Sequence, residues 1–192
     1  MQRYPNFRIT DDDIEELRDH TRDEAWIAAW VHWATLTDQL DAVVNQVSAA
    51  FARQQLGDGI GLYEAQAMDD YASPEELAQA RQRDERNDWR RIGTEALNQC
   101  YPAPSYMDAK GFVFHLPALL IAELNDEFDY GFIDWLIDAR RNLVDWISLL
   151  ATPQREAIAA TLRLVAKHPN YSESEDEIVA AIGRILDEPI TP

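Results

Sequence analysis

The punctuation of this chain constrains its fold more than any other feature. Helix-start signals stand at Thr10, Ser73, Thr152 and Ser174, each ahead of apolar residues at helical spacing. No segment of useful length alternates apolar and polar residues as a half-buried strand does. Thr10 precedes Asp11, Asp12 and Asp13, whose charges suit the positive end of a helix dipole. Ser73-Pro74-Glu75-Glu76 joins a cap, a proline at the first helical position and a capping-box glutamate. Ser174 and Glu177 repeat the box, and Thr152-Pro153 opens a helix with Ile158, Leu162 and Val165 inward and Pro169 as its stop. The expected fold is mainly α: a compact, single-domain, helical bundle-like arrangement with at most a minor strand element.

Between these starts the pattern predicts a helix over 12–33, with Trp26, Trp30 and Trp33 on one face and read chiefly as core. A second helix is expected over 38–56, with Leu40, Val43, Val44, Val47 and Phe51 as its stripe and Gly57 as its stop. Gly57-Asp58-Gly59-Ile60-Gly61 reads as a turn needing positive φ angles, since it lacks the lysine and hydroxyl of a phosphate loop. A charged surface helix follows over 74–91, then a short segment over 94–99. Phe112-Val113-Phe114 reads as a short strand or buried extended stretch, and 116–124 as a buried helix with Pro117 in its first turn. Trp135, Leu136, Leu143, Trp146, Ile147 and Leu150 predict one or two amphipathic helices over 133–150. The whole of 1–192 is expected to be a single helical domain, with 1–37 an acidic N-terminal helix added to a core over 38–187.

Charge narrows the function. The chain carries 35 acidic against 17 basic side chains, a net charge of -18 on 192 residues. Such a field opposes direct nucleic-acid binding and draws basic partners. The 6 Trp, 7 Tyr and 6 Phe exclude a disordered acidic tail. Cys100 is the sole cysteine, so no intrachain disulfide forms and no cysteine cluster holds a metal. With 1–10 lacking the apolar centre of a leader, the expected compartment is the cytoplasm. The longest apolar run, 116–122, is interrupted by Pro117 and falls short of the roughly 18 residues of a membrane span, so no membrane partner is expected. The basic residues are 15 Arg and only Lys110 and Lys167, a skew that points to a high-GC bacterial genome.

Several strings carry a resemblance. They are Gly61-Leu62-Tyr63-Glu64-Ala65, Asp69-Asp70-Tyr71, Asp88-Trp89-Arg90-Arg91-Ile92, the run from Met107-Asp108-Ala109-Lys110-Gly111 through His115-Leu116-Pro117-Ala118, and Thr152-Pro153-Gln154-Arg155-Glu156-Ala157-Ile158. Over about 38–186 the chain resembles a bacterial family of small, mostly acidic proteins of unknown function. The resemblance implies no activity. Gly93 departs from the pattern, standing after Ile92 where a proline is expected to open the next segment.

No catalytic set stands out. Glu16, His20 and Glu24 have metal-ligand spacing on a helix, but a run of eight acidic residues produces that spacing by chance, and a solvated face is the simpler reading. His115, before Leu116-Pro117, reads as a hydrogen-bonded, partly buried histidine that fixes a turn. Arg81, Arg83, Arg86, Arg90 and Arg91 are interleaved with Asp84, Glu85 and Asp88, which predicts local i,i+4 pairing. Glu64, Asp69 and Asp70, flanked by Tyr63 and Tyr71, form the densest mix of carboxylates and aromatics.

The chain is therefore expected to be no enzyme, to hold no metal or cofactor, and to bind a basic protein, most specifically as an immunity protein that neutralises a cognate toxin by blocking a basic surface or active site. The candidate interface is Asp11, Asp12, Asp13 and Glu16 on the first helix, with Tyr63, Glu64, Asp69, Asp70 and Tyr71 on a 63–71 loop that projects from the body. The alternative is a carboxylate- or metal-dependent hydrolase using Glu64, Asp69, Asp70 and His115.

Overall fold

The computed structural model describes residues 7–138 and 146–186, and these hold ten α-helices with short 3-10 turns and no strand. The helices are α1 (Asp11–His20), α2 (Glu24–Ala34), α3 (Thr37–Ala50), α4 (Leu62–Asp69), α5 (Pro74–Arg83), α6 (Thr94–Gln99), α7 (Ala109–Leu124), α8 (Phe132–Ile137), α9 (Thr152–Val165) and α10 (Glu175–Leu186). The mainly α expectation holds.

Helix α7 is the axis. Phe112, Phe114, Leu116, Leu119, Leu120 and Leu124 are completely buried, because this helix is enclosed on every side. Helices α3 and α8 pack on it, and α9 lies between α3 and α10. One apolar core runs continuously from Phe7 to Ile185. Arg155, on the first turns of α9, donates to the carbonyls of Ile147 (2.8 Å), Leu150 (3.2 Å) and Ile185 (3.0 Å), closing the end of α10 onto α9.

Several expected boundaries move, each for a local reason. The 12–33 helix is two helices. Thr21 turns extended, and the Asp23 carboxylate accepts the N–H groups of Ala25 and Trp26, starting α2 afresh. The 38–56 helix ends at Ala50, before the buried Phe51. The 74–91 helix ends at Arg83, where Asp84 goes extended, and 89–91 is a separate 3-10 turn. Phe112-Val113-Phe114 is no strand. Asp108 caps α7 by accepting the Gly111 N–H at 2.7 Å, so the helix starts eight residues before Pro117 and carries that proline inside it. At 133–150 the structure gives α8 and a 3-10 turn at Ile147–Leu149, while Leu143 lies outside the described residues. Thr152 is the first residue of α9 rather than its cap. Ala151 precedes it, and the Gln154 side chain accepts the Ala151 N–H at 2.9 Å.

Helices α1 and α2 are fastened to the body by a few specific bonds. Both oxygens of Asp126 accept backbone N–H groups, from Phe7 at 2.8 Å and Arg8 at 2.7 Å. The Arg8 guanidinium reaches Asp41 (2.5 Å) and Asn125 (2.9 Å). Trp33 donates its indole N–H to the Phe7 carbonyl at 3.0 Å. The His168 ring then sits among Trp33, Phe7 and Trp30, with centroids 4.6, 4.8 and 4.9 Å away. Trp30 and Trp33 are core residues, 1% and 2% exposed, as their spacing predicts; Trp26 is half-buried.

Candidate functional site

Residues 63–69 of the expected loop belong to helix α4, and 70–71 form the turn that follows it. Gly61 has no side chain to cap α4, so no local start signal exists. Asp84 caps it from the end of α5 instead, accepting the Tyr63 N–H at 2.7 Å. A Cβ on Gly61 would lie 2.1 Å from the Asp84 Cγ, which is why this position has none. The neighbouring turn uses a positive φ only at Gly57. Its carbonyls are held by the arginines expected to pair locally. Arg86 donates to Gly57 and to Gly59 (3.3 Å), and Arg81 donates to Asp58 (2.8 Å) while pairing with Glu64 at 2.6 Å. Arg90 pairs nearby, with Asp88 at 2.7 Å.

These bonds sort the candidate residues. Glu64 is committed to Arg81, its side chain 16% exposed. Tyr63 is half-buried beneath the Arg83 guanidinium, 4.3 Å from the ring centre. Asp70 accepts from Gln66 at 3.1 Å and remains exposed. Asp69 accepts from the Tyr106 hydroxyl, a bond that raises the pKa of that phenol. Tyr71 stands 94% exposed just beyond α4, with its backbone in the left-handed region at φ 57°. On α1, Asp11, Asp12 and Glu16 are exposed, and Asp13 is spent on the Thr10 capping box. The two candidate clusters sit on helices with different neighbours. Helix α1 packs on α2, whereas α4 packs on α5 and on the 3-10 turn Ala103–Ser105. Glu24, on α2, is also separated by a helix break from Glu16 and His20.

Around the 103–105 turn the structure adds residues that sequence reasoning missed. Among the described residues seven large apolar side chains are exposed. Four of them, Met68, Tyr71, Tyr101 and Tyr130, belong to segments around this turn. Tyr101 and Tyr130 stack with centroids 3.9 Å apart, each about half exposed, and Asn98 ties their segments together through Glu127 and Asp129. Tyr101-Pro102 lies in a loop with no periodicity to mark it, so only tertiary structure reveals the face. Asp69, Asp70 and Asp129 accompany these rings.

His115 lies elsewhere. It is 1% exposed, inside α7, and its Nδ1–H donates to the Gly111 carbonyl at 2.7 Å. It stabilises a helical turn from full burial rather than fixing a loop. Burial lowers its pKa to about 4, against the pull of that hydrogen bond. It lines a cavity of about 280 Å³ together with Tyr63, Arg83, Asp84, Glu85 and Arg91, but not with Glu64, Asp69 or Asp70. Burial likewise raises the carboxyl of Asp84, and lifts the thiol of Cys100 to about 11. Among the described residues no three His, Cys, Asp or Glu side chains are placed to hold a metal ion, and no helix is long and apolar enough to cross a membrane.

Neither curated proteins nor solved structures give a match to this chain. A family model matches residues 39–184, from the start of α3 almost to the end of α10, which leaves α1 and α2 outside it. The chain belongs to DUF6714, a family of unknown function.

Proposed function

We propose that this chain is an acidic protein-binding module, an immunity protein that neutralises a cognate toxin by covering a basic surface or active site. The observation that carries this reading is Tyr71. A tyrosine that is 94% exposed and held at φ 57° contributes little to the core and costs backbone strain. A rigid aromatic with Asp69, Asp70 and the Tyr101–Tyr130 stack in the segments around it suits a hot spot. The net charge of -18 supplies long-range attraction for a basic protein. Asp11, Asp12 and Glu16 on α1 are exposed and strengthen that field, raising the association rate.

The test is co-expression with the basic protein encoded by the adjacent gene. The expected result is protection from that protein's toxicity, with a purified one-to-one complex whose association slows steeply with salt. A neighbour that is not toxic, or whose toxicity this chain leaves unchanged, overturns the reading.

A further inference from the structure

A second cavity, also of about 280 Å³, adjoins the exposed tyrosines. Pro104, from the 103–105 turn, and Tyr130, from the Tyr101–Tyr130 stack, line it together with Phe128, Trp135, Asp134 and Asp138. Its walls are set by the fold. Tyr130 lies 3.9 Å from Tyr101 and meets Phe128 edge-on at 5.8 Å. Trp135 is half-buried and stacked on Phe112, with centroids 4.8 Å apart. The backbone between Tyr130 and Trp135 is pinned where the buried Glu123 carboxylate accepts the Phe132 N–H at 2.6 Å. The mouth is open to solvent, since Tyr130 is 51% exposed and Asp134 is exposed as well. Asp134, in the first turn of α8, and Asp138, its C-cap, stand one helical turn apart. Among the described residues no basic side chain lines the cavity. Aromatic walls beside two carboxylates, with no cation in the lining, are the chemistry that receives an organic cation.

We propose that, given a basic protein as partner under the proposed function, this cavity receives an arginine side chain of that partner. A guanidinium is planar and weakly hydrated, so it stacks on aromatic rings and pairs with a carboxylate through two parallel hydrogen bonds. A lysine ammonium is a strongly hydrated point charge that does neither as well. A carboxylate has about four lone-pair sites, so a bond made within the fold leaves room for a guanidinium. The volume of about 280 Å³ lies below the roughly 300–1,000 Å³ of sites for drug-sized ligands and suits one inserted side chain. Tyr130 belongs both to this wall and to the exposed stack, which puts the inserted arginine beside the rings of the proposed hot spot.

The experiment is an NMR titration of the full chain with N-acetylarginine N-methylamide up to about 10 mM, a range that captures millimolar affinity. The arginine probe is expected to shift the amides of Tyr130, Phe132 and Trp135 and the Trp135 indole N–H saturably. The citrulline counterpart keeps the shape without the charge and should bind at least about tenfold more weakly. The lysine counterpart keeps the charge without the plane and should bind at least about threefold more weakly. Asp134→Asn keeps the shape of an exposed side chain, and Tyr130→Leu keeps an apolar group at a half-exposed position. Each should leave the fold intact and weaken arginine binding about threefold or more. The titration uses no toxin, so its failure is distinct from a failure to protect in co-expression. The proposal is overturned if arginine gives no saturable shift at these groups, if citrulline or lysine binds as well, or if either well-folded variant binds like wild type.

Discussion

The junction of α4, α5 and α7 and the first turn of α1 use the same residue type in opposite ways. At the junction, aspartates are interior fasteners. Asp84 caps α4, while Asp108 accepts both the Gly111 N–H (2.7 Å) and the Ile60 N–H (3.1 Å). On α1, Asp11 and Asp12 face water and their side chains bond nothing among the described residues. Net charge alone is therefore a poor guide to function. The carboxylates divide into those that build the molecule and those that remain for something else.

The sharpest way to break this contrast is at Gly111. A Cβ there would sit 2.1 Å from the Ile60 carbonyl oxygen, an approach that no side-chain movement relieves. Gly111→Ala is expected to cost about 3 kcal/mol or more, read from the urea midpoint. A loss below about 1 kcal/mol means that the junction is looser than described.

Next in size is the pH response of His115. Its folded pKa of about 4 lies below its ordinary value of 6.5. Between these values the unfolded chain binds a proton that the native state refuses, so stability rises with pH across about 4 to 6.5. The full effect is on the order of 3 kcal/mol. Asp84 and Asp126, whose carboxyls are raised by burial, act with the other sign: their contribution is complete below the ordinary carboxyl pKa and is lost as pH rises through the raised one. The comparison of wild type with His115→Leu isolates the histidine. The variant should lose most of the rise seen in wild type over this window.

Asp11→Asn with Asp12→Asn gives the surface side of the contrast. Only the helix dipole is affected, so stability should fall by no more than about 1 kcal/mol in thermal denaturation. A loss as large as that at Gly111 would place these side chains among the fasteners.

What was legible follows the same division. Caps formed within a few residues, at Thr10, Ser73 and Asp108, could be read or were present to be read, and the Trp30–Trp33 stripe is core as its spacing says. Helix α4 was hidden because its cap comes from 21 residues away. Three of the strings that carry the family resemblance are placed by residues outside them: Gly61 yields to Asp84, Gly111 to Ile60, and Trp89 donates to the Phe51 carbonyl at 2.8 Å. The exposed tyrosines at 101 and 130 follow no period and become a face only when Asn98 brings their segments together. Gly93 offers a further check. Its φ of -73° suits the proline expected there, a Cβ meets nothing within 4 Å, and Ile92 is already extended. Gly93→Pro should stabilise the chain by about 0.5–1 kcal/mol in the same urea series; destabilisation would show that the turn needs its glycine.

In the proposed reading, Tyr71 is strained and exposed because it serves a partner. Tyr71→Gly tests it directly, since glycine adopts φ 57° without cost. The measurement is the dissociation rate of the complex with the neighbour-encoded basic protein, made beside thermal stability. The expected result is a variant at least as stable as wild type whose complex dissociates about tenfold faster or more, with association little changed. An unchanged dissociation rate in a well-folded variant would contradict it.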